Sequence, residues 1–102
     1  MKFIKISTHT EAFMKSIPEN FGPLLEAHSA YLKKEMEAGR LLEIYVLPGD
    51  WRAISIWEFE SAGEVEKHFW DDPINFTFDS EIHVAADVFS HIQNVMPMFK
   101  SR

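Results

Sequence analysis

The chain has 102 residues, 46% of them apolar and 14% aromatic, with no cysteine and a formal net charge of -6 at pH 7. This length supports one domain around a single core, and the apolar content is too high for a disordered segment. Without cysteine there are no disulfides, thiol nucleophiles or thiolate metal sites, and the acidic balance disfavours a nucleic acid or an anionic membrane as partner.

The opening run Met1 to Ile6 alternates polar and apolar residues, so it does not read as a signal peptide, and no apolar stretch is long enough to span a bilayer. A soluble, cytoplasmic protein is expected. Residues 2–9 alternate as a first strand, and a polar, proline-containing loop from Thr10 to Asn20 follows. From Phe21 to Arg40 the apolar residues Phe21, Leu24, Leu25, Leu32 and Met36 recur at helical steps, and the stripe runs through His28. Tyr31 and Glu35 then form a polar edge beside it. Gly39 is placed to end this helix in a left-handed cap.

Leu41 to Leu47 reads as a second strand. Pro48-Gly49-Asp50 is a turn signal, and Trp51 to Phe59 should return as the hairpin partner. Ser61-Ala62-Gly63-Glu64 has the form of a capping box opening a second helix, with Val65, His68 and Phe69 on one face. Asp71-Asp72-Pro73 breaks that helix, Glu81 to Phe89 reads as a fourth strand, and Ser90 to Arg102 as an apolar tail. The order is βαββαβ, which predicts one ferredoxin-like α+β domain over residues 1–102: a four-stranded antiparallel sheet with two helices on one face.

The strand patterns predict two unlike sheet faces. One gathers Ile4, Ile6, Leu42, Ile44, Val46, Ile54, Ile56, Ile82, Val84, Ala86 and Val88. The other gathers Ser7, His9, Tyr45, Ser55, Trp57, His83, Ala85 and Asp87, with Phe3, Phe59 and Phe89. Two helices cover one face only, so the other should be buried by a second copy in a homodimer. The mixed face is expected beneath the helices, lining a pocket, and the aliphatic face in the dimer core, with the reverse assignment open. The tail over residues 91–102 is a candidate for packing on the partner.

Two segments carry a resemblance. Ala30-Tyr31-Leu32-Lys33-Lys34-Glu35-Met36-Glu37-Ala38-Gly39-Arg40 and Ile54-Ser55-Ile56-Trp57-Glu58-Phe59-Glu60-Ser61 resemble the muconolactone isomerase-like family of the dimeric α/β-barrel superfamily. The Ala27-His28 pair followed by Gly39-Arg40-Leu41 is similar to YCII-related proteins, in which a helix histidine pairs with an acidic residue near the glycine. Glu37 stands at that place here.

The resemblance implies cofactor-free proton transfer on a small oxygenated acid, lactone or polyketide-like substrate. Such chemistry needs a base, an acid and donors to an enolate oxygen. His28, Glu35 and Tyr31 are the catalytic candidates, with Glu35 and Glu37 competing as the acidic partner of His28. Tyr45, Ser55, Trp57 and His83 are candidates for substrate binding, and Arg52 or Lys5 for holding a substrate carboxylate. His9 and His91 lie at element ends and read as solvated, and His68 as packing or capping the second helix. No cofactor and no metal are expected: the histidines lack the helical spacing of a ligand pair, and no glycine-rich phosphate loop occurs. Haem is the one cofactor the superfamily leaves open. The alternative functions are a cofactor-free oxygenase on a phenolic substrate and a noncatalytic ligand-binding or interaction protein.

Overall fold

A computed structural model of the chain describes residues 1–100. The strands are β1 (Lys2–His9), β2 (Leu41–Leu47), β3 (Arg52–Glu58) and β4 (Phe78–Ala85). The helices are α1 (Glu11–Lys15), α2 (Phe21–Glu37), α3 (Ala62–Trp70) and α4 (Val88–Phe99). The sheet order is β2-β3-β1-β4, antiparallel throughout, with helices packed on one face, which is the expected ferredoxin-like plan. No helix among the described residues is long and apolar enough to cross a membrane.

Local chemistry explains most boundaries. Gly39 adopts φ 77°, and the Arg40 and Gly39 N–H groups donate to the Glu35 and Met36 carbonyls, each at 3.0 Å. Those two bonds make the expected left-handed cap of α2. At α3 the Glu64 N–H donates to Ser61 Oγ at 3.4 Å, while the Glu64 carboxylate accepts from Glu60 N–H, one residue earlier than a strict capping box. Pro48–Asp50 forms a short 3-10 turn, and Trp51 follows at φ 53°, left-handed without being glycine.

Three boundaries differ from the sequence pattern. The proline-containing loop contains α1, started by Phe13 N–H donating to Thr10 Oγ1 at 3.1 Å. The fourth strand starts at Phe78 rather than Glu81 and ends at Ala85. Asp87 stops it by capping α4, accepting from Ser90 N–H at 3.0 Å. The expected apolar tail is therefore largely helical. No residue of α4 is buried, and Phe89, Ile92, Met96 and Met98 are all exposed. The radius of gyration is 16.8 Å, against roughly 13 Å for a compact chain of this length, and the longest axis reaches 61 Å.

The face assignment is correct for some residues and inverted for others. Phe3, Ser7, Ser55, Trp57 and Phe59 lie buried beneath the helices, as expected, and Lys5 is buried with them. A bulge between Leu41 and Glu43 shifts the β2 register, so Ile44 and Val46 sit opposite Ser55 and Ala53 on the helix side. Ile82 and Val84 sit opposite Lys5 and Phe3 and join that side too. Tyr45 and His83 go the other way, paired with Ile54 and Ile4 on the open face. Both had been expected beside the pocket.

In α2 the inward face is not the purely apolar stripe. Tyr31 and Glu35 are buried, whereas Leu25 and Met36 are exposed. Burial of Glu35 is compensated by a two-pronged contact with Arg40, through Nε to Oε2 and Nη2 to Oε1, and by His68 Nδ1 at 3.6 Å. The pair ties the end of α2 to the start of β2. Glu35→Ala should release the partly exposed Arg40 and lower unfolding stability by about 2 kcal/mol through the lost charged hydrogen bonds, read as a lower urea midpoint at unchanged slope.

Candidate functional site

A cavity of about 470 Å³ opens between α2 and the β2–β3 end of the sheet, and Trp51 and Phe78 help to wall it. Its lining is mainly aliphatic, from Leu25, Leu32, Ile44, Val46 and Ile74, with polar groups from His9, His28 and Arg52. Few polar groups in an apolar cleft of this size is the usual form of a small-molecule site.

His28 reaches the cavity from α2 and is held from behind. Its Nδ1 lies 2.7 Å from Asp72 Oδ1. An ionised carboxylate only accepts, so the proton of a neutral His28 is held at Nδ1 and Nε2 keeps a free lone pair. Asp72 is itself fixed, because Ile74 N–H donates to the same Oδ1 at 3.1 Å and Asp72 N–H donates to the Phe69 carbonyl at 3.2 Å. The acidic partner of His28 is therefore Asp72, not Glu35 or Glu37. The helical spacing that suggested those two compares residues on one helix, whereas the partner comes from the turn after α3.

A recess of about 30 Å³ continues beneath His28, lined by Lys5, Ser7, Ser55, Trp57 and Asp72 among others. Lys5 is 5% exposed, and its ammonium lies 4.3 Å from the centre of the Phe69 ring. Burial lowers its pKa, opposed by the nearby Asp72 carboxylate. Trp57 Nε1 donates to Ser55 Oγ at 2.7 Å, and Ser7 Oγ lies 3.1 Å from Ser80 Oγ. The recess is thus a polar floor with one cation, under an imidazole backed by a carboxylate.

Of the seven site residues expected from sequence, His28, Ser55 and Trp57 meet here. Tyr31 stands behind them: its ring is 6.4 Å from that of His28, and its hydroxyl donates to the His68 carbonyl at 2.9 Å. Burial first, then nearby acidic groups including Asp72, raises its pKa. Glu35 is engaged with Arg40 at the far end of α2. Tyr45 and His83 face away, and His83 Nε2 lies 3.3 Å from Glu81.

Two residues gain a place that sequence alone did not assign. Asp72 had read only as a helix breaker. His9 had read as solvated, yet its ring stacks between Phe13 and Phe78 and lines the cavity. Burial lowers the His9 pKa, the His28 charge adds to this and the Thr77 backbone opposes it. Arg52, named as a carboxylate holder, does line the cavity, with Nε 3.3 Å from Thr8 Oγ1. Among the described residues, no group of three or more histidine, aspartate or glutamate side chains is arranged to hold a metal ion.

No protein-family profile and no curated protein matches the chain. Solved structures do. Muconolactone isomerase superposes with a TM-score of 0.72 at 15% identity, covering 85% of this chain and 90% of that one. The 5-chloro-2-hydroxyhydroquinone dehydrochlorinase of Burkholderia phenoliruptrix AC1100, solved with 2,5-dihydroxybenzoquinone, gives 0.61 at 18% identity over 84% and 94% of the two chains. An antibiotic biosynthesis monooxygenase gives 0.52 at 12% identity, covering 85% and 100%. At these identities the likeness is one of fold: the chain shares its ferredoxin-like plan with muconolactone isomerase and the other two proteins.

Proposed function

We propose that the chain is a cofactor-independent acid–base catalyst that moves a proton on a small oxygenated ring compound, such as an unsaturated lactone or a related acid. The observation that carries this reading is the His28–Asp72 contact of 2.7 Å beside an apolar cavity of about 470 Å³. In the proposed step, His28 Nε2 takes a proton from a carbon next to a carbonyl. The C–H electron pair moves into a carbon–carbon double bond, and the charge collects on the carbonyl oxygen as an enolate. The imidazolium then returns the proton at the conjugated carbon, which leaves the double bond shifted and His28 neutral. Asp72 stabilises the imidazolium and holds the ring, and Lys5 is placed to offset negative charge above the recess. The similarity to muconolactone isomerase supports an isomerisation, and the dehydrochlorinase neighbour, solved with 2,5-dihydroxybenzoquinone, supports a small oxygenated ring as ligand.

We further propose that the working form is a homodimer. Ile4, Ile6, Ile54 and Ile56 share the open sheet face with Tyr45, which is 60% exposed, and among the described residues the main helices pack on the other face. A 12-residue helix with no buried residue is marginal in water by itself, so α4 is a further candidate for contacts with the second copy.

Incubation with unsaturated five-membered lactones in D2O should exchange deuterium into the carbon next to the carbonyl. His28→Gln should slow exchange and turnover by about 100-fold or more, and Asp72→Asn by on the order of 10- to 100-fold, with far-UV circular dichroism unchanged. Equal exchange in His28→Gln would remove it as the base. Turnover should also proceed without oxygen, whereas strict oxygen consumption would point to the oxygenase reading. Sedimentation velocity should give a species of twice the 11.9 kDa chain mass, and Ile4→Asp with Ile56→Asp should convert it to monomer.

A further inference from the structure

The proposed chemistry uses one imidazole of the cavity and leaves a second unused. His9 ends β1 and lines the same space as His28. Both faces of its ring are occupied: Phe13 stacks at 4.6 Å and 17°, Phe78 at 4.3 Å and 23°. Trp51 meets its edge at 6.3 Å and 68°. The backbone is pinned as well, with His9 N–H donating to the Trp51 carbonyl at 3.1 Å and Thr10 N–H to the Thr77 carbonyl at 2.9 Å. Nδ1 is closed to solvent and makes no well-formed hydrogen bond among the described residues, although the Thr77 backbone acts on the ring. With both faces and Nδ1 covered, Nε2 is the polar atom the ring has to offer.

Packing alone does not account for an imidazole here. A phenylalanine would complete the stack of aromatic rings without leaving a buried polar atom poorly satisfied. The clamp instead holds a polar edge in one orientation, which is what a recognition group requires. From this geometry we infer that His9 is a substrate-binding residue, whose Nε2 hydrogen-bonds an uncharged oxygen of a flat ring ligand, a carbonyl or hydroxyl other than the one at the reacting carbon. The neutral state favoured by burial suits an uncharged partner, and Arg52 at the same cavity is the group suited to a carboxylate. The ligand class is thereby narrowed to rings carrying two oxygen functions. This inference rests on the reading of the cavity as a substrate site.

Two simple probes differing by one hydroxyl test it: phenol and hydroquinone, the latter kept reduced under nitrogen, titrated calorimetrically into the full chain. The parent protein should bind hydroquinone roughly tenfold more tightly than phenol. His9→Phe, which keeps the aromatic stack, should bind both probes alike and at the phenol affinity of the parent. Equal affinities in the parent, or an undiminished preference in His9→Phe, overturn the inference. A measurement needing no variant runs beside it: the Nε2 resonance of His9 in the 15N spectrum should move with hydroquinone and stay fixed with phenol, and an unmoved resonance also overturns it. Neither readout depends on turnover, so the assignment of His28 as base stands or falls separately on deuterium exchange.

Discussion

Asp72 is the group on which the interior of this protein is organised. It is a carboxylate in a mostly apolar core, and it is kept there by donors from separate parts of the chain: the His28 imidazole of α2 and the Ile74 amide of its own turn, with the Lys5 ammonium of β1 adding an opposite charge nearby. A buried carboxylate without such compensation costs several kcal/mol. The folded arrangement is thus one in which α2, β1 and the turn after α3 must be in place together. The same requirement orients His28 toward the cavity, so one electrostatic constraint supports both the packing and the proposed chemistry.

The rest of the core is adapted to that polar centre. Trp57, Phe59 and Phe69 pack edge and face against one another, with Trp57 and Phe69 at 4.8 Å and 71° and Trp57 and Phe59 at 5.7 Å and 12°. Phe69 also supplies the ring under the Lys5 ammonium, which softens the cost of burying that cation. Glu35 and Arg40 form a second polar pair at the C-terminal end of α2, where the ion pair and the Gly39 cap hold the helix terminus against β2. Polar groups therefore anchor α2 at its middle and at its C-terminal end, and the cavity opens beside His28.

The cavity itself depends on a small irregularity. The bulge between Leu41 and Glu43 turns Ile44 and Val46 toward the helices, where they line the cavity opposite Leu32. Without that extra residue the strand would send Tyr45 inward, and a phenol would stand where the aliphatic wall now is. The left-handed backbone at Trp51 acts similarly, placing an indole beside His9 at a position where a non-glycine residue is uncommon.

The element order, the helix cap at Gly39 and the burial of Phe3, Trp57 and Phe59 follow from local rules: period-two and helical spacing, a glycine able to take positive φ, and a turn signal at Pro48-Gly49-Asp50. Those rules act over a few residues and can be read directly from the chain. They also located His28, Ser55 and Trp57, because each lies in a periodic element whose inward face is defined. They did not locate Asp72 or His9, whose roles arise from neighbours 44 residues away for Asp72 and on other elements for His9. Nor did they place Tyr45 and His83, since a one-residue slip in pairing exchanges the faces of a strand while leaving its alternation unchanged. Composition and periodicity determine which elements form, and tertiary structure alone decides which polar groups meet, because the cost of burying a charge is settled only when the whole interior closes around it.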